Sequence, residues 1–257
     1  MILGKGALAA GYRLESFDEL GSSNDEAMAR GRNGDPGHLW IVTSQQSKGR
    51  GRLGRVWRSP PGNLYASLLL VDAAPPALSA QLGFVAGVAL AGALEMLLRD
   101  PSQLRLKWPN DALFNGAKLS GLLLEGASLA DGRFACVVGF GVNCLSSPKD
   151  LPYSTASLHD IGAVSAERGD LFALLSDGMA HWLDVWDRGA GFARVREAWL
   201  GFAGGIGEEI SVAQGAASRR GVFQGIDAQG RLLLDIGDGK PVVIEAGDVT
   251  LAQPRLA

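Results

Sequence analysis

The sequence predicts an α+β fold, in which helices pack on a mixed, largely antiparallel sheet, followed by a small C-terminal β-barrel. Three observations support this fold class. The first hundred residues alternate between strand and helix patterns. Residues 104–142 contain strands joined by tight turns. Two helical stretches come next, and short strand candidates lie beyond residue 207. Glycines in the stretch 201–207 mark a boundary. We therefore predict domains of residues 1–203 and 204–257.

Residues 1–98 contain five predicted elements. Residues 12–17 alternate between apolar and polar, as in a half-buried strand, and Ser22, Ser23 and Asn24 offer N-cap oxygens to a helix ending near Gly31. A buried strand is predicted at 39–44 and another strand from Leu64. Apolar residues surround the whole circumference of 76–98, which predicts a long buried helix.

Hairpin turns organise the chain after residue 103. A short strand at 104–107 is followed by the turn Asn115–Gly116 into a strand at 118–125, and Asp131–Gly132 leads into a strand at 134–142. Regular alternation places Lys118 and Ser120 on one face of their strand, and Leu119 and Gly121 on the other. The remaining predicted elements are helices at about 166–186 and 192–200 and strands at 209–213, 221–226, 232–236 and 242–245.

Composition excludes several classes of protein. A formal charge of −3 over 257 residues argues against wholesale binding of nucleic acid or membranes. The two cysteines and three histidines form no CxxC or HxxxH pattern, so neither a zinc site nor a disulfide framework is predicted. No apolar run resembles a signal peptide or approaches a membrane span, and we expect a soluble, cytoplasmic protein.

The segment 48–63 is the most unusual part of the sequence. It carries four arginines, several glycines and prolines, and one tryptophan, directly before an apolar strand. Glycines at 49, 51 and 54 disfavour helix and strand, so a mobile loop is predicted. Its guanidinium groups are suited to phosphate or carboxylate oxygens, which favours a lid over an anion. A solvated basic linker is the alternative interpretation.

Three further segments carry polar residues where a plain core would not. They are Lys107–Asp111 (KWPND), Lys118 within an apolar strand, and Gly139–Asn143 (GFGVN), whose strand glycines indicate close approach by a ligand or another backbone. Each has a structural explanation by itself: a core tryptophan, a lysine that extends to solvent, or a β-bulge. Their joint occurrence is not explained in this way.

The four segments together resemble the biotin protein ligases. The matching motifs are GRGRxGRxW at 49–57, SPxGxNLYxS at 59–67 with one residue fewer, KWPND at 107–111, KxxGxLxE at 118–125 and GxGxN at 139–143. The resemblance implies that biotin and ATP react to give biotinyl-5′-adenylate and pyrophosphate, and that a lysine of a biotin carboxyl-carrier domain then takes the biotin. It also implies a class II synthetase-like catalytic domain, with a seven-stranded mixed sheet and helices on one side, and an SH3-like C-terminal barrel.

The resemblance assigns roles to individual residues. Lys118, Arg52 and Asp111 correspond to the catalytic group, in which Lys118 contacts the reacting oxygens and Asp111 either assists the acceptor lysine or lies near the Mg²⁺ that accompanies ATP. No tightly bound metal is implied. The implied biotin contacts are Ser22, Ser23, Asn24, Gln46, Gly49, Arg50, Gly51, Arg52, Lys118 and Gly121. The implied ATP and adenylate contacts are Arg50, Arg52, Arg55, Trp57, Lys107, Asn110, Lys118 and Asn143.

Two features depart from some members of the family. Only about twenty residues precede the matched region, which begins near Ser22, so we expect no winged-helix domain and no sequence-specific DNA binding. Gln224 stands where a relative can place an arginine near the nucleotide, which leaves the barrel's part in ATP binding open. A homodimer through sheet edges is also implied by the resemblance.

Two other functions remain as alternatives. Lipoate ligases and octanoyltransferases also present a lysine to an acyl group, but the intact GRGRxGRxW and KWPND motifs favour biotin. A glycine–arginine loop is also found in single-stranded nucleic-acid binders. The acidic pI of about 5.7 and the single aromatic residue of the loop argue against that function.

Overall fold

The computed structural model describes residues 1–163, 167–215 and 217–251, and a mixed sheet dominates the larger part of it. Within those residues this sheet has seven strands, in the order β1-β2-β3-β7-β6-β5-β4. Strands β1 and β2 pair in parallel, and all other neighbours pair antiparallel. The strands are β1 (Arg13–Leu20), β2 (Leu39–Gln46), β3 (Leu64–Val71), β4 (Leu104–Lys107), β5 (Asp111–Phe114), β6 (Ala117–Ser128) and β7 (Phe134–Val142). The predicted sheet is confirmed.

Helices cover both faces of the sheet, whereas the resemblance implied one face. The helices are α1 (Lys5–Ala9), α2 (Ser23–Arg32), α3 (Leu82–Glu95), α4 (Arg168–Trp186) and α5 (Phe192–Phe202). On β2, Trp40 and Val42 join the core formed with α3, α4 and α5, while Leu39 and Ile41 join a smaller core with α2. Successive side chains of a strand point to opposite faces, so α2 packs on the face opposite to the other long helices.

Helix α2 begins as predicted. Ser22 has an extended backbone, and its side chain accepts a hydrogen bond from the Asp25 amide at 3.4 Å. Asp25 and Glu26 lie in the first turn, where negative charge favours the helix dipole. The capping residue therefore fixes where this helix starts, immediately beside the loop 48–63.

Helix α3 is shorter than the predicted helix at 76–98, because Pro76–Gln81 forms a 3₁₀ turn before it. Contrary to the expectation from sequence, Pro76–Glu95 is long and apolar enough to span a membrane by length and composition. Most of this segment is buried inside the protein, and twelve residues of α3 are buried against the sheet and its neighbours. Its apolar circumference is explained by a central position in the core.

A second, smaller sheet forms the described part of the chain beyond α5. It is antiparallel and contains five strands there, in the order β11-β10-β9-β8-β12: β8 (Glu209–Gln214), β9 (Ala217–Ile226), β10 (Leu232–Asp235), β11 (Val242–Ile244) and β12 (Asp248–Leu251). The sequence predicted the first four strands but not β12. The predicted start of α4 at Ala166 and the end of the barrel at 252–257 lie outside the described residues.

The two sheets share one continuous apolar core. Buried residues such as Phe223 and Leu232 cluster with those of α3 and α5. Polar contacts also join them, because the Trp108 indole donates to the Gly230 carbonyl at 3.0 Å and the Gly204 amide donates to the Leu106 carbonyl at 2.9 Å. The smaller sheet is therefore packed firmly beside the turn 107–111.

Candidate active site

A cavity of about 980 Å³ opens beside the carboxyl end of β7 and the first half of β6. Its walls come from the start of α2, the loop 48–63, the turn 107–111, residues 152–154 and residues 248–251. Most of the residues predicted to bind ligands line this one cavity: Ser22, Ser23, Asn24, Gln46, Arg50, Gly51, Arg52, Arg55, Trp57, Lys107, Asn110, Asp111, Lys118 and Gly121. Distant parts of the chain are therefore brought to a single site.

One end of the cavity contains a network of neutral polar groups at the start of α2. The Gln46 Oε1 atom accepts hydrogen bonds from the Ser23 amide at 2.8 Å and from the Ser23 hydroxyl at 3.1 Å, and its Nε2 donates to Ser59 at 3.0 Å. The Ser67 hydroxyl lies 2.8 Å from Ser23 Oγ and 2.6 Å from Asn24 Oδ1. Because these groups hold one another, their donors and acceptors are fixed before any ligand arrives.

Glycines in β6 and β7 form the floor of the cavity. A methyl group at Gly139 would collide with Asn24 Oδ1, and one at Gly141 would lie 2.6 Å from the Trp57 ring. At Gly121 it would lie 3.1 Å from the same ring. The close approach predicted at Gly139 and Gly141 is therefore made by the side chains of Asn24 and Trp57, rather than by another backbone.

The opposite end of the cavity contains two lysines around one buried carboxylate. The Lys118 ammonium lies 2.7 Å from Asp111, and that of Lys107 lies 3.1 Å from it. Asp111 is only 8% exposed, and burial by itself would raise its pKa, but the two ammonium groups hold the pKa below its ordinary value. Asp111 is therefore ionised at neutral pH and fixes both lysines at the cavity wall.

Lys118 reaches this cluster because of an irregularity in β6. The pairing of β5 with β6 shifts between Ala112 and Leu113, so that Leu113 pairs with Lys118 while Ala112 pairs with Ser120. The extra residue, Leu119, forms a β-bulge that inverts the alternation. The prediction that Lys118 and Gly121 lie on opposite faces is wrong: Lys118 Nζ would lie 3.5 Å from a methyl group at Gly121.

The ammonium of Lys118 also faces two aromatic rings. It lies 5.5 Å from the ring centroid of Trp57 and 5.8 Å from that of Tyr153. Both distances are within the range of cation–π attraction. The side chain of Lys118 remains 19% exposed, so it is held by its neighbours and still accessible from the cavity.

Arg50 anchors the loop to the sheet and to α2. Its guanidinium donates to both carboxylate oxygens of Asp25, at 2.6 and 2.7 Å, and to Glu125 at 2.9 and 3.0 Å. Glu125 also accepts a hydrogen bond from Asn24 at 2.8 Å. The carboxylates raise the pKa of Arg50, and two negative charges neutralise it in this structure.

Arg52 and Arg55 join the loop to the smaller sheet. The Arg52 guanidinium donates to the Gly247 carbonyl at 3.2 and 3.3 Å and to Asn110 Oδ1 at 3.2 Å, and it lies 3.5 Å from Asp248. Arg55 donates to Asp248 at 2.9 Å. Neutral oxygens therefore supply most of the acceptors of Arg52, whose side chain is 23% exposed at the cavity wall.

Two of the predicted ligand contacts do not line this cavity. Gly49 borders an adjacent cavity of about 720 Å³ on the other side of the loop. Asn143 is buried, and its side-chain amide donates to the carbonyls of Ala156 at 3.1 Å and Lys118 at 3.4 Å. In this structure Asn143 joins the segment after β7 to β6, which supports the backbone of Lys118.

Sequence reasoning assigned no role to several residues of the site. Ser67 and Glu125 stand in apolar strands, and a polar residue within an apolar run could have indicated a role in the site. Tyr153 and Asp248 carried no such signal, because neither stands within a long apolar run of the sequence. Only the fold brings Asp248 to a loop almost two hundred residues away.

A metal site built by the protein does not fit this arrangement. Among the described residues no group of three or more His, Cys, Asp and Glu side chains could hold an ion. Asp111, the carboxylate considered for Mg²⁺, already contacts two ammonium groups, which a cation would have to displace. The site is thus arranged for a neutral polar group at one end and anionic oxygens at the other.

Comparison with known proteins agrees with this geometry. Residues 32–143 match the Biotin/lipoate A/B protein ligase family, and residues 205–251 match the Biotin protein ligase C terminal domain. The chain is similar to the biotin–[acetyl-CoA-carboxylase] ligase of Paracoccus denitrificans, with 36% identity over 231 residues, covering 86% of this chain and 94% of the relative. The ligase of the same name from Mycobacterium tuberculosis is 31% identical over 253 residues, covering 95% and 91%.

A solved structure shares the whole architecture. The biotin protein ligase from Aquifex aeolicus, in complex with biotin and ATP, superposes with a TM-score of 0.80 at 25% identity, covering 93% of this chain and 99% of the other. The similarity in sequence extends over nearly the full length of the Paracoccus relative. The chain therefore belongs to the biotin protein ligases of the biotin/lipoate A/B protein ligase family.

Proposed function

We propose that the protein is a biotin–[acetyl-CoA-carboxylase] ligase that activates biotin with ATP and then transfers it to a lysine of a biotin carboxyl-carrier domain. The observation that carries the proposal is one cavity that joins a fixed neutral network at Ser23 and Gln46 to the ammonium of Lys118. Biotin has matching ends, because its ureido ring is neutral and polar while its other end is a carboxylate. Family membership supports the same assignment.

In the first step a carboxylate oxygen of biotin attacks the α-phosphorus of ATP, and pyrophosphate leaves. Both reactants are anions, so positive charge that is already in position lowers the barrier to their approach. Lys118 supplies such a charge, since Asp111 holds its ammonium at the cavity wall. Arg52 contributes a second charge from the loop, where carbonyl and amide oxygens orient it without neutralising it.

In the second step the amine of the acceptor lysine attacks the carbonyl carbon of biotinyl-adenylate, and AMP leaves. Asp111 is a poor base for the proton of that amine, because its pKa is held below the ordinary value by Lys118 and Lys107. We assign Asp111 the task of holding the two lysines. Magnesium enters as part of the MgATP substrate, and no step requires a carboxylate cluster of the protein.

Closing the loop 48–63 over the adenylate excludes water from this reactive mixed anhydride. Trp57 is placed on the glycine floor beside Lys118, where it can border the nucleotide. Asn143 contributes indirectly, because it supports the backbone of Lys118 rather than the cavity wall. Lys107 and Asn110 line the same cavity, and Asn110 accepts a hydrogen bond from Arg52, which supports their predicted contacts with ATP.

Labelling of a purified biotin carboxyl-carrier domain tests the proposal. Biotin should become attached only when both ATP and biotin are present, and Lys118→Ala should abolish most of the labelling. Lys149→Ala is the matched control, because Lys149 is an exposed lysine paired with Asp160 away from the cavity. Absence of labelling by the wild-type protein, with the carrier confirmed as competent by another ligase, would contradict the proposal.

Mass spectrometry distinguishes biotin from other acids. The protein is incubated with ATP and either biotin, lipoate or octanoate, and the retained acyl-adenylate is measured. Only biotin should be retained, since its ureido group alone can use the donors and acceptors around Ser23 and Gln46. Retention of lipoyl- or octanoyl-adenylate in place of the biotin product would assign the chain to the other branch of the family.

We further propose that the enzyme acts in the cytoplasm, without a nucleic-acid or membrane partner. The net charge of −3 and the burial of the apolar segment Pro76–Glu95 support this. The homodimer stays a prediction. Strand β1 lies at the edge of the described sheet and carries the exposed carboxylates Asp18 and Glu19, which oppose pairing of two identical edges at these positions. Analytical ultracentrifugation over a series of protein concentrations measures whether the homodimer forms.

A further inference from the structure

Asp248 and the carbonyl before it join the smaller sheet to the loop 48–63. Asp248 begins β12, and its carboxylate lies 2.9 Å from Arg55 and 3.5 Å from Arg52. The preceding carbonyl, of Gly247, accepts two hydrogen bonds from Arg52. Two consecutive residues of the C-terminal region therefore meet the two arginines at the tip of the loop.

Hydrogen bonds within the loop connect Arg55 to the backbone around Arg52. Arg55 Nε donates to the Arg52 carbonyl at 3.2 Å, and the Gly51 amide donates to the Arg55 carbonyl at 2.7 Å. Fixing the Arg55 side chain on Asp248 thus holds the turn 51–55 that carries Arg52. At the base of the loop, Arg50 is held independently by Asp25 and Glu125.

The charges are distributed so that Arg52 stays available to an anion. The Asp248 carboxylate is nearer to Arg55 than to Arg52, at 2.9 against 3.5 Å. The shorter contacts of Arg52 are to the oxygens of Gly247 and Asn110, which orient a guanidinium without cancelling its charge.

We propose that Asp248 is a positioning residue: through Arg55 it holds the loop in the conformation that presents Arg52 to the cavity. In the proposed mechanism Asp248 does not contact the reacting atoms of biotin or ATP, and it acts on Arg52 from the smaller sheet. The use of Arg52 toward biotinyl-adenylate rests on the proposed function, whereas the effect of Asp248 on the loop does not.

Charge reversal at Asp248 tests the inference, with Glu245→Lys as the matched control. Glu245 is an exposed carboxylate of the same region, and its recorded partner is Arg231 at 3.8 Å. Asp248→Lys brings a third cation to Arg52 and Arg55 and should release the loop. The double variant Arg55→Glu/Asp248→Lys restores an opposite-charge pair and should close it again.

Hydrogen–deuterium exchange of the peptide covering 47–63 measures the loop in the ligand-free protein. The amides of Gly51 and Trp57, which donate to carbonyls within the loop, should exchange about fivefold or more faster in Asp248→Lys, since an exposed ion pair shifts such an equilibrium by up to about fivefold and repulsion adds to it. Glu245→Lys should exchange as the wild type does. Equal exchange in the two single variants, or no recovery in the charge-swapped pair, would overturn the inference.

Release of biotinyl-adenylate provides the second readout. Asp248→Lys should release it about fivefold or more faster, and the effect should disappear in an Arg52→Ala background, because Asp248 acts through Arg52. Independent, multiplying effects would assign Asp248 a merely structural role. If the wild-type protein forms no adenylate, the proposed function fails, and the exchange measurement still decides whether Asp248 holds the loop.

Discussion

Replacing Lys118 with alanine tests whether this lysine is catalytic or only extends from the sheet to solvent. A lysine whose ammonium lies in water can be truncated at little cost. Lys118 is different, because its ammonium lies 2.7 Å from Asp111, a carboxylate that is only 8% exposed. The variant should therefore lose both a charge facing the substrates and a partner of a buried charge.

The loss of stability follows from the partners that remain. Removing one member of a fully buried ion pair costs about 3–5 kcal/mol. Here Lys107 still contacts Asp111 at 3.1 Å, and the Lys118 side chain is partly exposed, so we expect about 1–3 kcal/mol. For a chain of this size that lowers Tm by roughly 2–12 °C.

The loss of activity should be larger. Removing a positive charge from the position where negative charge develops slows adenylate formation by roughly a hundredfold or more, equivalent to about 2.7 kcal/mol. Lys118→Arg should recover only part of the rate, because a planar guanidinium does not replace a compact ammonium. Transfer from pre-formed biotinyl-adenylate should suffer less than its synthesis, since the charge acts on the first step.

Pyrophosphate release measures the first step, and a second variant separates chemistry from folding. Lys118→Met/Asp111→Asn removes both charges of the pair, so it should recover stability without recovering synthesis. Lys149→Ala serves as the control for removing a lysine at an exposed position. Near-normal synthesis by folded Lys118→Ala, or recovered synthesis in the double variant, would refute the reasoning.

Three other expected outcomes follow from the same contacts. Arg52→Ala should release biotinyl-adenylate about ten- to a hundredfold faster, the equivalent of 1.5–3 kcal/mol, and an unchanged release rate would remove Arg52 from the site. Gly141→Ala should displace the Trp57 ring, seen as altered tryptophan fluorescence and weaker ATP binding, whereas Gly201→Ala, with open space at its Cβ, should not. The pKa of Asp111 is lower in the folded state, so its stabilisation is present above about pH 3.9 and lost as the pH falls further; urea unfolding should show wild type and Asp111→Asn converging there, and a constant difference down to pH 3 would contradict this.

Local sequence patterns predicted most of the fold, because helix caps and tight turns depend mainly on the residues within them. Ser22 caps α2 as its hydroxyl indicated, and the turns at Asn115–Gly116 and Asp131–Gly132 join the strands they were expected to join. The site segments were predicted as a set, from motifs that resemble one family. The described structure brings nearly all of those residues to one cavity, although their individual contacts with ligands stay predictions.

The features that sequence reasoning missed are set by tertiary contacts. The β-bulge at Leu119 arises from how β6 registers against β5, and strict alternation therefore placed Lys118 on the wrong face. Strand β12 contains only four residues and forms by pairing with β8, so its own pattern is weak. The position of α2 on the opposite face follows from the parallel β1–β2 connection, which no periodicity within the helix could reveal.

The acceptors of the three cationic groups explain how one loop can be both anchored and reactive. Arg50 meets two carboxylates, so its charge is spent on holding the loop to Glu125 and Asp25. Arg52 meets mainly neutral oxygens, and its charge remains for an incoming anion. Lys118 shares one carboxylate with Lys107, which leaves that trio a net positive charge. Under the proposed function, biotin and ATP entering the cavity would therefore meet the uncompensated charge of Arg52 and of the Lys118–Lys107 pair, while Arg50 holds the loop through contacts within the protein.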